Sequence, residues 1–196
     1  MAFTPAYIYN DKLYLNITNS CTNNCRFCIR SSNDVFDCDL FLEKEPTATE
    51  VLEAIEKLSV SDEITFCGFG EPLLRPEIIV EVAKEIKKRY GSKIRINTNG
   101  LAEKALNKKI LPSLEGCIDT ISISLNAPDA ETYYKICQPQ TGPSSFQDVL
   151  AFARESKKYI PRVVLSVVDI PEIDIEKCEQ LAAELGIELR IRHFIP

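Results

Sequence analysis

Short β-rich runs alternate with helical patterns six times along the 196 residues, and this limits the possible folds more than any other feature. The runs lie at residues 13–18, 63–67, 93–98, 118–125, 162–168 and 187–194. A helix is expected to start at Thr47, where Thr47 and Glu50 spell a capping box behind Pro46 and Val51, Leu52, Ile55 and Leu58 share one face. Pro76 opens and Gly91 closes a second helix, with Glu77 early and Lys87, Lys88 and Arg89 late, as the helix dipole favours. A third is expected to run to Leu111 and stop at Pro112. Helical segments follow near 129–137 and 145–159, and Asp174 caps a last one closed by Gly186. Ahead of the first run, residues 7–9 and the Asn10-Asp11 turn add a hairpin strand.

Six β/α alternations with short connections predict a parallel sheet with right-handed crossovers, either open and doubly wound or curled as a partial barrel. The strand faces favour the barrel. Alternation sets Asn16 and Thr18, Thr65 and Cys67, Arg95 and Asn97, Ser122, Ser124 and Asn126, Ser166, and Arg190 and Arg192 on one side, opposite aliphatic neighbours. A parallel sheet covered by helices on both faces is apolar on both. The expected fold is therefore α/β, a partial (β/α)6 TIM barrel of parallel strands with a short N-terminal hairpin strand and a wet or ligand-filled interior. A polar face that is merely solvated is the alternative. The chain reads as one core domain over residues 1–196.

Composition narrows the function. Lys plus Arg is 23 and Asp plus Glu is 29, so the formal charge is 23 − 29 = −6, without the broad positive field of a general nucleic-acid or membrane-surface binder. No apolar run approaches a membrane span, and the start shows no basic segment followed by an apolar one, so a cytoplasmic chain with no membrane partner is expected. In that setting the eight cysteines read as thiols, core residues or metal ligands, not as disulfides.

Three of them form Cys21-Thr22-Asn23-Asn24-Cys25-Arg26-Phe27-Cys28, a C-x3-C-x2-C loop just after the first parallel strand. Sites of parallel β/α sheets assemble at the carboxyl ends of the strands. Thiolate-rich sites take zinc or iron–sulfur clusters. Structural zinc wants four ligands, but no second Cys pair exists and the single histidine is His193. Three cysteines on a four-iron cluster leave one iron open to a small molecule.

This loop, with Phe27 before its last cysteine, resembles the cluster loop of the radical S-adenosylmethionine (SAM) superfamily. Gly68-Phe69-Gly70-Glu71-Pro72 resembles that superfamily's Gly-Gly-Glu-Pro stretch, Thr98-Asn99-Gly100 the end of its third strand, and Ser124-Leu125-Asn126 its Ser-Leu-Asp. The order covers residues 13 to 194. Leu13-Tyr14-Leu15-Asn16-Ile17-Thr18, Cys28-Ile29-Arg30 and the run from Asp39 to Pro46 are similar to those of the small TatD-associated radical SAM proteins, a resemblance that supplies no reaction.

The resemblance implies two cofactors, a 4Fe–4S cluster and SAM. The reduced cluster splits SAM into methionine and a 5′-deoxyadenosyl radical that abstracts hydrogen from a substrate. Cys21, Cys25 and Cys28 would hold the cluster, with zinc or a plain electron-transfer cluster as the bland alternative. Phe27 would lie beside the cofactor. Glu71 would accept from the methionine ammonium, and Gly68 and Gly70 would let the backbone pass close to it. Ser124 would reach the ribose or the carboxylate, with Asn97, Thr98, Asn99 and Asn126 nearby, or would be a satisfied interior hydroxyl. Asn126, standing for Asp, leaves its role open.

Arg190 and Arg192 fix the SAM carboxylate or an anionic substrate, or else are outward salt-bridge partners. His193 is expected at a strand end beside the adenine, and Asp169 at the substrate mouth or in a turn. Cys38 and Cys67 are candidate redox or substrate-side thiols, Cys178 is core, and Cys117 and Cys137 are isolated and either buried or inert. Catalytic residues proper stay unassigned. Three functions compete: a radical SAM enzyme acting on a nucleotide-derived or macromolecular substrate, a glycyl-radical enzyme activase, and a non-catalytic iron–sulfur electron carrier. Glu71 and the polar strand faces speak against the carrier, which needs neither. The enzymes require a reductant such as flavodoxin or ferredoxin.

Overall fold

The computed structural model describes residues 3–31 and 38–194; Met1 and Ala2, where the reading for a leader begins, lie outside them. Seven strands form one sheet in chain order: β1 (Ala6–Tyr9), β2 (Lys12–Leu15), β3 (Glu63–Phe66), β4 (Lys93–Thr98), β5 (Thr120–Ser124), β6 (Arg162–Asp169) and β7 (Glu188–His193). Only β1 and β2 are antiparallel. Asn10 (φ 48°) and Asp11 (φ 58°) join them through a turn with two left-handed residues, the kind whose twist matches a hairpin. A doubly wound sheet reverses its strand order at a switch point. This order never reverses, so every right-handed crossover lays its helix on the same side and the sheet is singly wound.

That side is dry. Leu13, Leu15, Ile64, Phe66, Ile94, Ile96, Ile121, Ile123, Leu165 and Val167 are fully buried under α1 (Ala48–Ile55), α2 (Pro76–Tyr90), α3 (Ala102–Leu106), α4 (Leu111–Leu114), α5 (Ala130–Cys137), α6 (Ser145–Ser156) and α7 (Ile175–Leu185). The helix faces answer them: Val51 and Ile55 on α1, and Ile79, Val82, Ala83 and Ile86 on α2, are 0 % exposed. Each large aliphatic contributes roughly 1.5–3 kcal/mol. The opposite face is polar, and the sheet curls around it. Tyr14 on β2 feels the charges of Arg190 on β7 and Arg95 on β4, so the two ends of the sheet face each other across the interior.

The expected caps hold. Thr47 and Glu50 form a reciprocal capping box, Gly91 closes α2 at φ 68°, and the Asp174 side chain accepts from Lys177 N. Pro112 differs from expectation: it sits in the first turn of α4 and starts a helix instead of stopping one. A proline at that place loses no hydrogen bond. The Glu103 carboxylate accepts from Ile110 N (2.7 Å) and Leu111 N (3.1 Å) there, while α3 ends at Asn107 in the left-handed region. The runs at 13–18 and 118–125 are also longer than the strands. Asn16 leaves the ladder to bond Pro5 O and, through Nδ2, Leu40 O (2.6 Å). After β5, Leu125 N and Asn126 N both turn to Ser166 O, and Asn126 takes φ 53°.

Candidate active site

The cysteine loop leaves β2 and is held from below by α5. Asn24 N donates to Cys137 O (3.1 Å), Arg26 N to Ile136 O (2.9 Å), and Gln140 N to Thr22 O (2.8 Å). The Asn23 side chain donates to the Tyr133 hydroxyl (3.1 Å). Cys21, Cys25 and Cys28 are all half-buried, and Phe27 packs against the core. Burial, helped by the nearby Glu71 carboxylate, pushes the Cys21 thiol up to about 11, and burial also raises Cys28. Cys25 is lowered by a hydrogen bond with the Cys137 thiol, which is itself raised by that bond and by burial.

Cys137 was expected to be isolated and buried or inert; it is buried, but not isolated, since it joins Cys25 and Asn126. Tyr133 and Cys137 lie four residues apart on one face of α5, which is the signal the sequence offered and the reading missed. Among the described residues no group of three or more His, Cys, Asp or Glu side chains is arranged to hold a single metal ion. The donor set is nevertheless chemically suited to an iron–sulfur cluster: three thiols on one short loop, none of them fully buried.

The stretch after β3 locks against this loop. Glu71 N donates to Ser20 O (2.8 Å). The Glu71 side chain is 2 % exposed and accepts from Leu73 N (3.0 Å), Thr98 Oγ1 (2.7 Å) and Asn99 N (2.6 Å). Burial without a cation raises it to about 7, against the lowering effect of those three donors. Asn99 carries the link onward, its Nδ2 reaching Thr22 Oγ1 (2.7 Å) and Cys21 Sγ (3.6 Å).

The glycines have a different neighbour from the one expected. A Cβ on Gly70 would lie 2.3 Å from Thr18 O and 2.6 Å from Ser20 O, and one on Gly68 would lie 2.0 Å from Asn16 Oδ1. What passes close is the chain leaving β2, so these glycines seat one loop against another.

The other side of the rim is less satisfied. Ser124 is half-buried on the inner face. Asn126 Oδ1 is buried with no hydrogen-bond partner, and so is Arg192 Nε. Arg192 faces inward, within electrostatic reach of Cys67 and Cys25, and burial lowers its proton affinity. Cys67 and Asn97 hydrogen-bond on the same face, Arg95 Nε donates to Asn97 Oδ1 (3.1 Å), and burial raises the Cys67 thiol. Cys38 lies near Tyr7, and Cys117 and Cys178 are buried.

His193 is not brought to this group. Strand alternation turns it to the opposite face from Arg192, where its side chain is 94 % exposed and 3.8 Å from Asp169, also at the surface. A cleft of about 390 Å³ between α3 and α6, lined by Lys104, Lys109, Asp148 and Glu155, belongs to the helical side and contains none of these residues.

The comparisons agree with this geometry. A family model described as the Radical SAM superfamily matches residues 15–185. A GTP 3′,8-cyclase of Lactiplantibacillus plantarum is 31% identical over 164 residues, covering 81% of this chain and 46% of the relative. A probable GTP 3′,8-cyclase of Methanocaldococcus jannaschii is 26% identical, covering 94% of this chain and 59% of its own. The chain thus spans about half the length of the curated relatives it matches. Among solved structures, methylornithine synthase superposes with a TM-score of 0.66 at 20% identity, covering 93% of this chain and 53% of the other. A radical SAM methyltransferase from Sphaerobacter thermophilus gives 0.57 at 15% identity, covering 96% and 68%. Both show the shared fold. The TatD-associated resemblance continues to rest on its motifs.

Proposed function

The chain belongs to the Radical SAM superfamily, whose enzymes use a 4Fe–4S cluster and SAM, and from that premise we propose that Cys21, Cys25 and Cys28 hold such a cluster with one iron left for SAM. When bound, the cluster would supply the electron for reductive cleavage of SAM and so for hydrogen-atom abstraction from the substrate. The observation that carries this reading is the wiring of the cysteine loop: Cys21 through Asn99 to Glu71, and Cys25 to Cys137.

The remaining steps belong to the protein. Glu71 fixes the ends of β3 and β4 relative to the loop, and a SAM ammonium beside it would favour its charged form, which burial now opposes. Asn126 Oδ1, buried without a donor, is suited to a ribose hydroxyl or an amine. Ser124 and Asn97 line the floor, and the apolar outer core closes that side to water. An electron carrier needs no such unanswered polar groups. A nucleotide-derived substrate is supported by the curated relatives, which are named for GTP, and by the positive inner face. The electron comes from a low-potential donor such as flavodoxin or ferredoxin, which fits a cytoplasmic chain. Among the described residues no helix is long and apolar enough to cross a membrane.

The test is electron paramagnetic resonance of the anaerobically reconstituted, reduced protein. SAM should change the cluster signal in the wild type. Cys21→Ala should lose the cluster, and Glu71→Ala should keep it while weakening SAM, since a charge-assisted bond is worth roughly 1.5–3 kcal/mol. A cluster signal indifferent to SAM contradicts the reading.

A further inference from the structure

The interior holds three arginines, and for two of them, Arg190 and Arg192, the sequence left open the SAM carboxylate or an anionic substrate. Alternation along β4 and β7 turns Arg95, Arg190 and Arg192 to the inner face, where Arg95 and Arg192 are half-buried and Arg190 is exposed. They converge although two strands separate β4 from β7: Arg95 and Arg190 both act on Tyr14, and both act on Arg192.

None of the three has an ion-pair partner among the described residues. Elsewhere Arg75 meets Glu45 (3.3 Å), Arg89 meets Glu56 (2.7 Å) and Arg162 meets Glu188 (2.8 Å). The carboxylates nearest the group do not neutralise it. Glu188 is engaged with Arg162, and Glu63 influences Arg95 without reaching ion-pair distance. Among the described residues, the one hydrogen bond any of their guanidiniums makes is Arg95 Nε to Asn97 Oδ1, and Arg192 Nε is shielded from water with no acceptor. In a chain of net charge −6, three like charges gathered on a concave face without an ion-pair partner among the described residues repel one another, and an anionic ligand would relieve that repulsion.

We propose that the inner face of the sheet is a phosphate-binding chamber in which Arg95, Arg190 and Arg192 grip the di- or triphosphate end of the substrate. This names the substrate class and rests on the reading of the open interior as the substrate chamber. The guanidinium fork matches phosphate oxygens in pairs, and a single carboxylate satisfies one fork, not three. The charges also form a ladder. Arg192 lies near Cys25 at the cysteine loop, and Arg95 sits at the level of Tyr14 and Thr65, deeper in the sheet. An extended polyanion spans such a ladder better than one orthophosphate. Tyr7, stacked on Tyr14 with ring centroids 5.3 Å apart, and Tyr9 at 6.3 Å form an aromatic wall facing it.

The experiment is isothermal titration calorimetry of the anaerobically cluster-loaded protein with inorganic pyrophosphate. One pyrophosphate per chain should bind saturably, more weakly as salt rises. Arg95→Met and Arg192→Met should each weaken it roughly tenfold to a hundredfold. Arg95→Lys should fall between Arg95→Met and the wild type, and Arg154→Met, on exposed α6 surface, should bind as the wild type does. If the buried variants do not fold, Arg190→Met at an exposed position carries the same test.

Absent saturable binding, wild-type affinity in all three methionine variants, or citrate binding as tightly as pyrophosphate overturns the proposal. SAM cleavage measured on the same samples separates the two readings. Cleavage without pyrophosphate binding removes the chamber alone, and pyrophosphate binding without cleavage removes the radical chemistry alone.

Discussion

At the carboxyl ends of β2, β3 and β4, Glu71 receives three hydrogen bonds, Asn99 ties Thr22 and Cys21 to it, and Gly70 seats flush on Thr18 and Ser20 carbonyls. Across the interior, on β5 to β7, Asn126 Oδ1 and Arg192 Nε are buried without partners and Arg190 has no counter-ion among the described residues. Buried polar groups are normally paired, because leaving one unpaired costs about 1–3 kcal/mol. The first half holds the cysteine loop in place largely by itself, with Asn16 Oδ1 as its one buried side-chain oxygen or nitrogen atom without a partner among the described residues. The second half has two such atoms beside the inward arginines, and this is the side to which the proposal above assigns substrate recognition.

The largest effect expected from disturbing this division is in the first half. Gly70→Ala puts a Cβ against two backbone carbonyls that no rotamer can move, so it should cost roughly 3 kcal/mol or more, read as a lowered unfolding midpoint in urea. A wild-type midpoint would show that the two loops are not seated as described. Gly68→Ala should cost less, because it meets the Asn16 side chain, which can shift at the expense of its bond to Leu40 O.

Glu71 comes next. Burial raises its folded value to about 7 from an ordinary 4.5, so in that window the folded chain keeps a proton that the unfolded chain has released. Its contribution to stability is therefore present below the window and lost as pH rises through it, on the order of 3 kcal/mol in full. Urea titrations of the cluster-free wild type at about pH 5 and about pH 8 should show this loss, and Glu71→Gln should not. Equal pH slopes in the two proteins contradict the burial of a carboxyl without a cation beside it.

A smaller effect is expected at Cys137. Its thiol faces Cys25, and hydrogen bonds to cluster sulfurs raise the reduction potential. Cys137→Ala should keep the cluster and lower its midpoint potential by tens of millivolts in a redox titration; an unchanged potential removes Cys137 from the site. The smallest effect is expected at His193→Ala, whose side chain is almost wholly exposed. Stability should stay within about 0.5 kcal/mol and SAM affinity should not change. A SAM affinity lowered in calorimetry would return His193 to the site.

Much of this molecule was legible from local pattern. The hairpin at Asn10-Asp11, the Thr47–Glu50 capping box and the Gly91 stop depend on a few adjacent residues, and each appears as read. The partial barrel followed from the polar side of each strand, since two-period alternation reports which face is dry. What stayed hidden depends on contacts across the fold. Pro112 opens α4 because Glu103, eight residues before Leu111, caps it. Cys137 reaches Cys25 because α5 is carried under the loop, 112 residues further along the chain. Gly68 and Gly70 were read against a ligand, when the nearest obstacle was a neighbouring strand's exit. His193 was misplaced for a simpler reason: the alternation that put Arg190 and Arg192 inside should also have put His193 outside.

The most direct measurement is the yield of 5′-deoxyadenosine and methionine after anaerobic reconstitution with iron and sulfide, reduction, and addition of SAM. The cysteine loop as a site of reductive SAM cleavage requires both products in equal amounts from the wild type and neither from Cys21→Ala. A wild-type protein that binds its iron and sulfide fully and leaves SAM intact, or a Cys21→Ala protein that still cleaves it, contradicts that assignment.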